Sequence, residues 1–194
     1  MSNRVLGAIA MICALGLLIG ALLLQGREDG LVTGITGMVF MASWICANTV
    51  MRRMQATGTS TWGRAVLLIQ LVGLVMAFMF EFFEATGLLG RESIIFNATD
   101  AAWPLSMLWM LVVGVTVIVA KRLSGWQRFV PLLCPFWLPI ALIASVVLGD
   151  DVVGKLIGFG IAAVLWMLLG YVVFSEDRQT APTPPPTPPA PAGR

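Results

Sequence analysis

An all-α integral membrane protein is the fold class this sequence predicts: a compact bundle of about six transmembrane helices, both termini cytoplasmic, with a disordered Pro-rich C-terminal tail. Three observations carry the prediction. Hydrophobic residues make up 58% of the 194 and charged residues only 11%, against about 45–50% and about 25% in a soluble domain. The apolar residues fall in runs of about 18 or more, the length a helix needs to cross roughly 30 Å of hydrocarbon. Loops rich and poor in Lys and Arg alternate along the chain.

The runs place helices at about 5–25, 31–51, 63–86, 101–120, 127–148 and 152–174. The first follows Arg4 and resembles a signal peptide, but it is about 21 residues long and ends without a small-x-small cleavage site, so it is expected to be retained. Arg52 and Arg53 close the second run and Trp62 precedes the third. Asp100 is placed to cap the fourth helix, with Pro104 tolerated in its first turn. The fifth run carries three prolines, and the sixth ends on Tyr171 and Phe174. Residues 1–175 therefore form the membrane domain, and 176–194 a tail too poor in apolar side chains to fold. Its 181–191 segment suits either a solvated spacer or a proline-recognition partner.

Nine of the twelve basic residues fall in the N-terminal segment, the second and fourth loops and the tail, while Arg27, Arg91 and Lys155 stand alone in the other three loops. That asymmetry puts both termini inside and predicts a plasma or inner cell membrane location. Glu28, Asp29, Glu92, Asp100, Asp150 and Asp151 then face outward. Trp62 and Trp126 are expected at the inner interface and Trp103 at the outer.

Several chemistries are excluded or weakly indicated. A net charge of +2 with dispersed basic residues offers no stripe for nucleic acid. The absence of histidine removes imidazole-based dyads, bis-histidine haem and the usual zinc sites. Cys13, Cys46 and Cys134 lie inside apolar runs and form no CxxC pair, so they read as small buried hydrophobes. No cofactor, metal or catalytic residue is expected.

The residues that stand out are Glu81 and Glu84, three apart in the apolar run from Phe78 and one to two turns from the outer surface. A carboxyl at that depth must find a partner or hold a proton. Gln70, eleven positions before Glu81, points within about 20° of it, so the third helix should turn one polar face into the bundle. Lys155 is the natural ion-pair partner, with Arg91 second. Three roles compete for the pair: a structural ion pair, a proton-, cation- or ligand-binding site, and acid–base catalysis, which lacks any identifiable nucleophile beside it.

Pro131, Pro135 and Pro139 lie four apart on the fifth helix, where each removes a backbone hydrogen bond. The freed carbonyls either line a polar cavity, as in broken-helix transporters, or are satisfied by neighbours. Gly16 and Gly20, Gly34 and Gly37, and Gly154 and Gly158 are spaced for close helix packing or self-association. Trp44, Trp109, Trp137 and Trp166 lie within apolar runs and suit core packing, lipid contact or a hydrophobic ligand. The segment from Gly87 to Asp100 reads as a long outer loop folded onto the bundle, and Asn97, Ala98 and Thr99 match a glycosylation sequon.

These features predict a non-enzymatic protein: a subunit of a membrane assembly, or a small-ligand-binding component with a polar site near Glu81, Glu84 and Lys155. The alternative is a proton- or cation-coupled transporter using Glu81 and Glu84, and the third reading an intramembrane enzyme. The partners expected are the lipid bilayer and either other membrane subunits or further copies of the chain.

Overall fold

A computed structural model describes residues 1–24, 29–148 and 152–176. The expected tail beyond Glu176, with its 181–191 segment, lies outside the described residues, as do Arg27, Glu28, Asp150 and Asp151. The described residues are helical with no strand, and six helical stretches are long and apolar enough to cross a membrane. The chain is a multi-pass membrane protein.

The helices are α1 (Asn3–Cys13), α2 (Gly16–Leu24), α3 (Gly30–Arg53), α4 (Thr61–Thr86), α5 (Ile94–Ala120), α6 (Val130–Leu133), α7 (Trp137–Leu148) and α8 (Val152–Glu176). Helix α3 packs along α4 and α4 along α5, while the α1–α2 segment lies between α3 and α8. Helix α7 packs on α8, and α6 returns to α5 and closes the ring. At the centre Trp44 stacks edge-on against Trp166 at 5.0 Å and Phe40 lies 5.2 Å from the same ring, all three fully enclosed. Among the described residues the indole nitrogens of Trp44, Trp137 and Trp166 have no acceptor, whereas Trp109 donates to the Val66 carbonyl at 2.9 Å.

Glycines set the helix spacing. A side chain at Gly16 would strike the α3 backbone at Thr36 and Phe40, one at Gly20 the Thr36 side chain, and one at Gly158 the Ala141 side chain. Gly154 is also buried. These contacts let backbones approach closely where lipid supplies no hydrophobic drive for association. Ser43 adds a buried hydrogen bond from α3 to the Ala10 carbonyl of α1 at 2.6 Å.

Three sequence expectations change. The first span is not one helix: the Leu15 amide donates to Ile12, one residue short of the α-helical ladder, and α2 restarts at Gly16. Helix α5 starts at Ile94 rather than 101, so Asp100 does not cap it and Pro104 lies within it. Asn97 holds that start by donating to the Arg91 and Ser93 carbonyls at 3.1 Å, and Thr99 is buried, so the sequon does not sit in an open loop. Trp103 packs 5.8 Å from Trp137.

The proline-rich span also departs from a simple kinked helix. Pro131 sits in the first turn of α6, Pro135 in a 3₁₀ turn spanning Cys134–Phe136, and Pro139 near the start of α7. A further 3₁₀ turn, Gly125–Phe129, precedes α6. Short i→i−3 turns place each proline where an α-helical donor is least needed.

Candidate functional site

Five charged side chains meet at the end of the bundle where α3 begins, α4 ends and α8 begins. A cavity of about 620 Å³ opens there, bounded by α2, α3, α4 and α8. Its apolar wall is Leu17, Ala21, Leu24 and Phe159; its polar wall is Asp29, Thr33, Thr36, Glu81, Glu84, Arg91 and Lys155.

Each charge is held by a local cause. Asp29 caps α3, accepting from the Leu31 and Val32 amides at 3.0 and 3.2 Å through one oxygen. That use is what a carboxylate at a helix N-terminus favours. Gly87, left-handed at φ 63°, ends α4 and lets the chain turn back, so Arg91 reaches Glu84 at 3.1 Å. Arg91 is 80% exposed in this pair, whereas Glu84 is 17% exposed.

Glu81 is different. It lies five residues inside the Thr86 end of α4, about 7.5 Å from that end at 1.5 Å per residue, and it is 6% exposed. Its carboxyl occupies the space that a side chain at Gly37 would fill, while its own backbone carbonyl lies against Gly34. Two glycines of α3 thus make room for α4 to approach and for one carboxyl to tuck between them. Among the described residues no donor hydrogen-bonds that carboxyl and no cation pairs with it. A charged carboxyl in this position is costly, so it either holds a proton or is met by something from the cavity on its other side.

The structure divides the residues singled out in the sequence. Glu81, Glu84, Arg91 and Lys155 share the cavity, together with Gly20. Lys155 is exposed and forms no ion pair with either glutamate; Arg91 takes the Glu84 partnership instead. Gln70 is on the same buried face of α4 as Glu81, but it does not reach the cavity. It is 1% exposed and donates to the Ser106 carbonyl of α5 at 3.3 Å. It helps line a second, mainly apolar cavity of about 690 Å³ between α4 and α5. Pro131, Pro135 and Pro139 are also absent from the Glu81 cavity; the interrupted span that reaches it is the first, through Leu17, Gly20, Ala21 and Leu24 of α2.

Thr33, Thr36, Asp29 and Phe159 join the site without having stood out in the sequence as ligand-facing groups. The available signal was the pair Gly34 and Gly37, which marked a close approach but not what approached. Among the described residues no three His, Cys, Asp or Glu side chains converge as a metal cluster.

No family model, curated protein or solved structure matches the chain. The site is therefore read from its own chemistry.

Proposed function

We propose that this chain is a non-enzymatic membrane component that binds a small ligand in the cavity walled by Glu81 and Lys155. The observation that carries the reading is the Glu81 carboxyl, almost fully buried and without a hydrogen-bond donor among the described residues, on the wall of a cavity of about 620 Å³. Glu84 is engaged by Arg91 and Asp29 by the start of α3. Among the described residues of the cavity, Glu81 and Lys155 are the two charges without an ion-pair or capping partner. The arrangement suits a small zwitterion: an ammonium for Glu81, an anionic group for Lys155, and an apolar portion against Leu17, Leu24 and Phe159.

The distribution of Lys and Arg supports an orientation with both termini cytoplasmic, in a plasma or inner cell membrane. The cavity then opens outward. Subunit partners or self-association remain part of this reading through the small-residue faces of the helices.

The test is a thermal-shift screen of the purified full chain against free amino acids, simple amines and simple carboxylic acids. The proposal expects a zwitterion to stabilise the wild type and to lose that effect with Glu81→Gln. Equal stabilisation of wild type and variant, or no response to any of the three classes, contradicts it.

A second reading, proton- or cation-coupled transport, is favoured by the interruption of the first span at Ala14 and Leu15, because its second half, α2, lines the polar cavity and interrupted spans are a device transporters use. It predicts pH-dependent uptake into liposomes that Glu81→Gln abolishes.

A further inference from the structure

The opposite end of the bundle carries a second site of contrasting charge. Helix α3 ends at Arg52 and Arg53, and α4 brings Arg64 back beside them. The three arginines line a cavity of about 510 Å³ together with Thr49, Gln55 and Leu67, the last 1% exposed.

The turn that joins the two helices is tightly built. Gln55 is left-handed at φ 52° and Gly58 at φ 89°. The Ala56 amide donates to the Met51 carbonyl at 2.9 Å, and the Gly58 amide to Gln55 at 2.7 Å. Thr57 reaches across to the Gly63 carbonyl at 2.6 Å, and that bond is buried. Gly63 is required there, since a side chain on it would strike the Thr57 backbone. The arginines thus project from a fixed frame.

Their own contacts use only some of their donors. Arg53 gives one terminal nitrogen to the Met1 carbonyl at 3.0 Å and Asn3 at 3.4 Å. Arg64 gives its Nε to the Thr59 carbonyl at 3.1 Å. The Arg52 guanidinium makes no hydrogen bond among the described residues. No described Asp or Glu lines the cavity, so three like charges face one space without a counter-ion.

We propose that this cavity binds a phosphate-bearing anion. Guanidinium forks match the several acceptor oxygens of a phosphate group, and three of them from two helices can meet one such group from different directions. The arginines terminate membrane-spanning helices, so they lie at the depth of lipid phosphates, where each basic residue contributes attraction to anionic lipid. A phosphodiester headgroup and a soluble phosphate share this chemistry. The proposal is independent of the Glu81 cavity, which lies at the other end.

The test uses full-length protein in a zwitterionic detergent-lipid mixture, with thermal midpoints measured on adding dioleoylphosphatidylglycerol, dioleoylphosphatidylcholine or inorganic phosphate. Phosphatidylglycerol is expected to raise the wild-type midpoint by about 2–4 °C beyond phosphatidylcholine. Arg52→Gln/Arg64→Gln loses that increment, whereas Lys121→Gln/Arg122→Gln, which removes equal charge at the same end outside the cavity, keeps it. A shift with lipid alone assigns a headgroup; the same arginine-dependent shift with inorganic phosphate assigns a soluble ligand. Equal losses in both double variants, or no wild-type shift with either phosphate source, overturns the proposal. Should the glutamine variant fail to fold, Arg52→Lys/Arg64→Lys keeps the charge but not the fork and is expected to weaken the shift; an unchanged shift counts against the site.

Discussion

The carboxyl of Glu81 on α4 rests on the bare backbone of Gly37 on α3, in the space where any other residue would carry its side chain. One residue thereby serves both helix packing and the floor of the cavity. The missing side chain of Gly37 decides where the carboxyl lies, and among the described residues no hydrogen bond holds it there.

Gly37→Ala tests that relationship. The added methyl competes with the carboxyl, and overpacking of this kind costs about 1–3 kcal/mol. Thermal stability of the purified protein is expected to fall. Glu81→Ala in the same chain should recover part of the loss, because it removes the group that the methyl strikes. Additive losses in the double variant would mean that the two residues do not share the space.

Gly16→Ala is expected to be worse than Gly37→Ala. The obstructing atoms at Gly16 are the α3 backbone at Thr36 and Phe40 rather than the end of a side chain, so little can yield. Denaturation of both variants in one detergent compares them directly, and a smaller effect at Gly16 counts against the close α2–α3 contact.

The Glu84–Arg91 pair should matter little to stability. Arg91 is 80% exposed, and exposed pairs contribute about 0–1 kcal/mol. Arg91→Gln is expected to shift the thermal midpoint by no more than a degree or two, and the residual effect should shrink with added salt. A loss of several degrees would show that the pair braces the α4–α5 connection.

Ser43→Ala removes the buried hydrogen bond from α3 to the Ala10 carbonyl. Interhelical hydrogen bonds in membranes average about 0.6 kcal/mol, and the deleted hydroxyl leaves the carbonyl its helical partner, since the Ala14 amide also donates to it. A small but measurable loss is expected in thermal melts.

The spans themselves were legible because a membrane asks for length and apolarity, and both are local properties of the chain. Gln70 and Glu81 share a buried face of α4, as 100° per residue places them. What periodicity does not carry is which neighbour each one meets. Gln70 meets Ser106, Glu84 meets Arg91, and Glu81 meets Gly37, and all three outcomes depend on how α3, α4 and α5 pack. The break after Cys13 was not legible, since the run contains no proline and Gly16, where α2 restarts, read only as a packing residue. The early start of α5 was hidden for the opposite reason. Asn97, Thr99 and Asp100 look like loop residues, yet Asn97 and Thr99 satisfy themselves on carbonyls of their own helix or its start.

The central claim is that Glu81 faces a ligand rather than a structural partner. It is tested most directly by the thermal stability of wild type, Glu81→Gln, Lys155→Met and the double variant, with and without the zwitterion found in the screen. The account predicts that Glu81→Gln folds with stability equal to or above the wild type, since an unpartnered buried carboxyl is costly, and that both single variants lose the ligand-induced stabilisation. Large losses in both single variants without ligand, with the double variant little worse than either, would mean a structural ion pair and would contradict it.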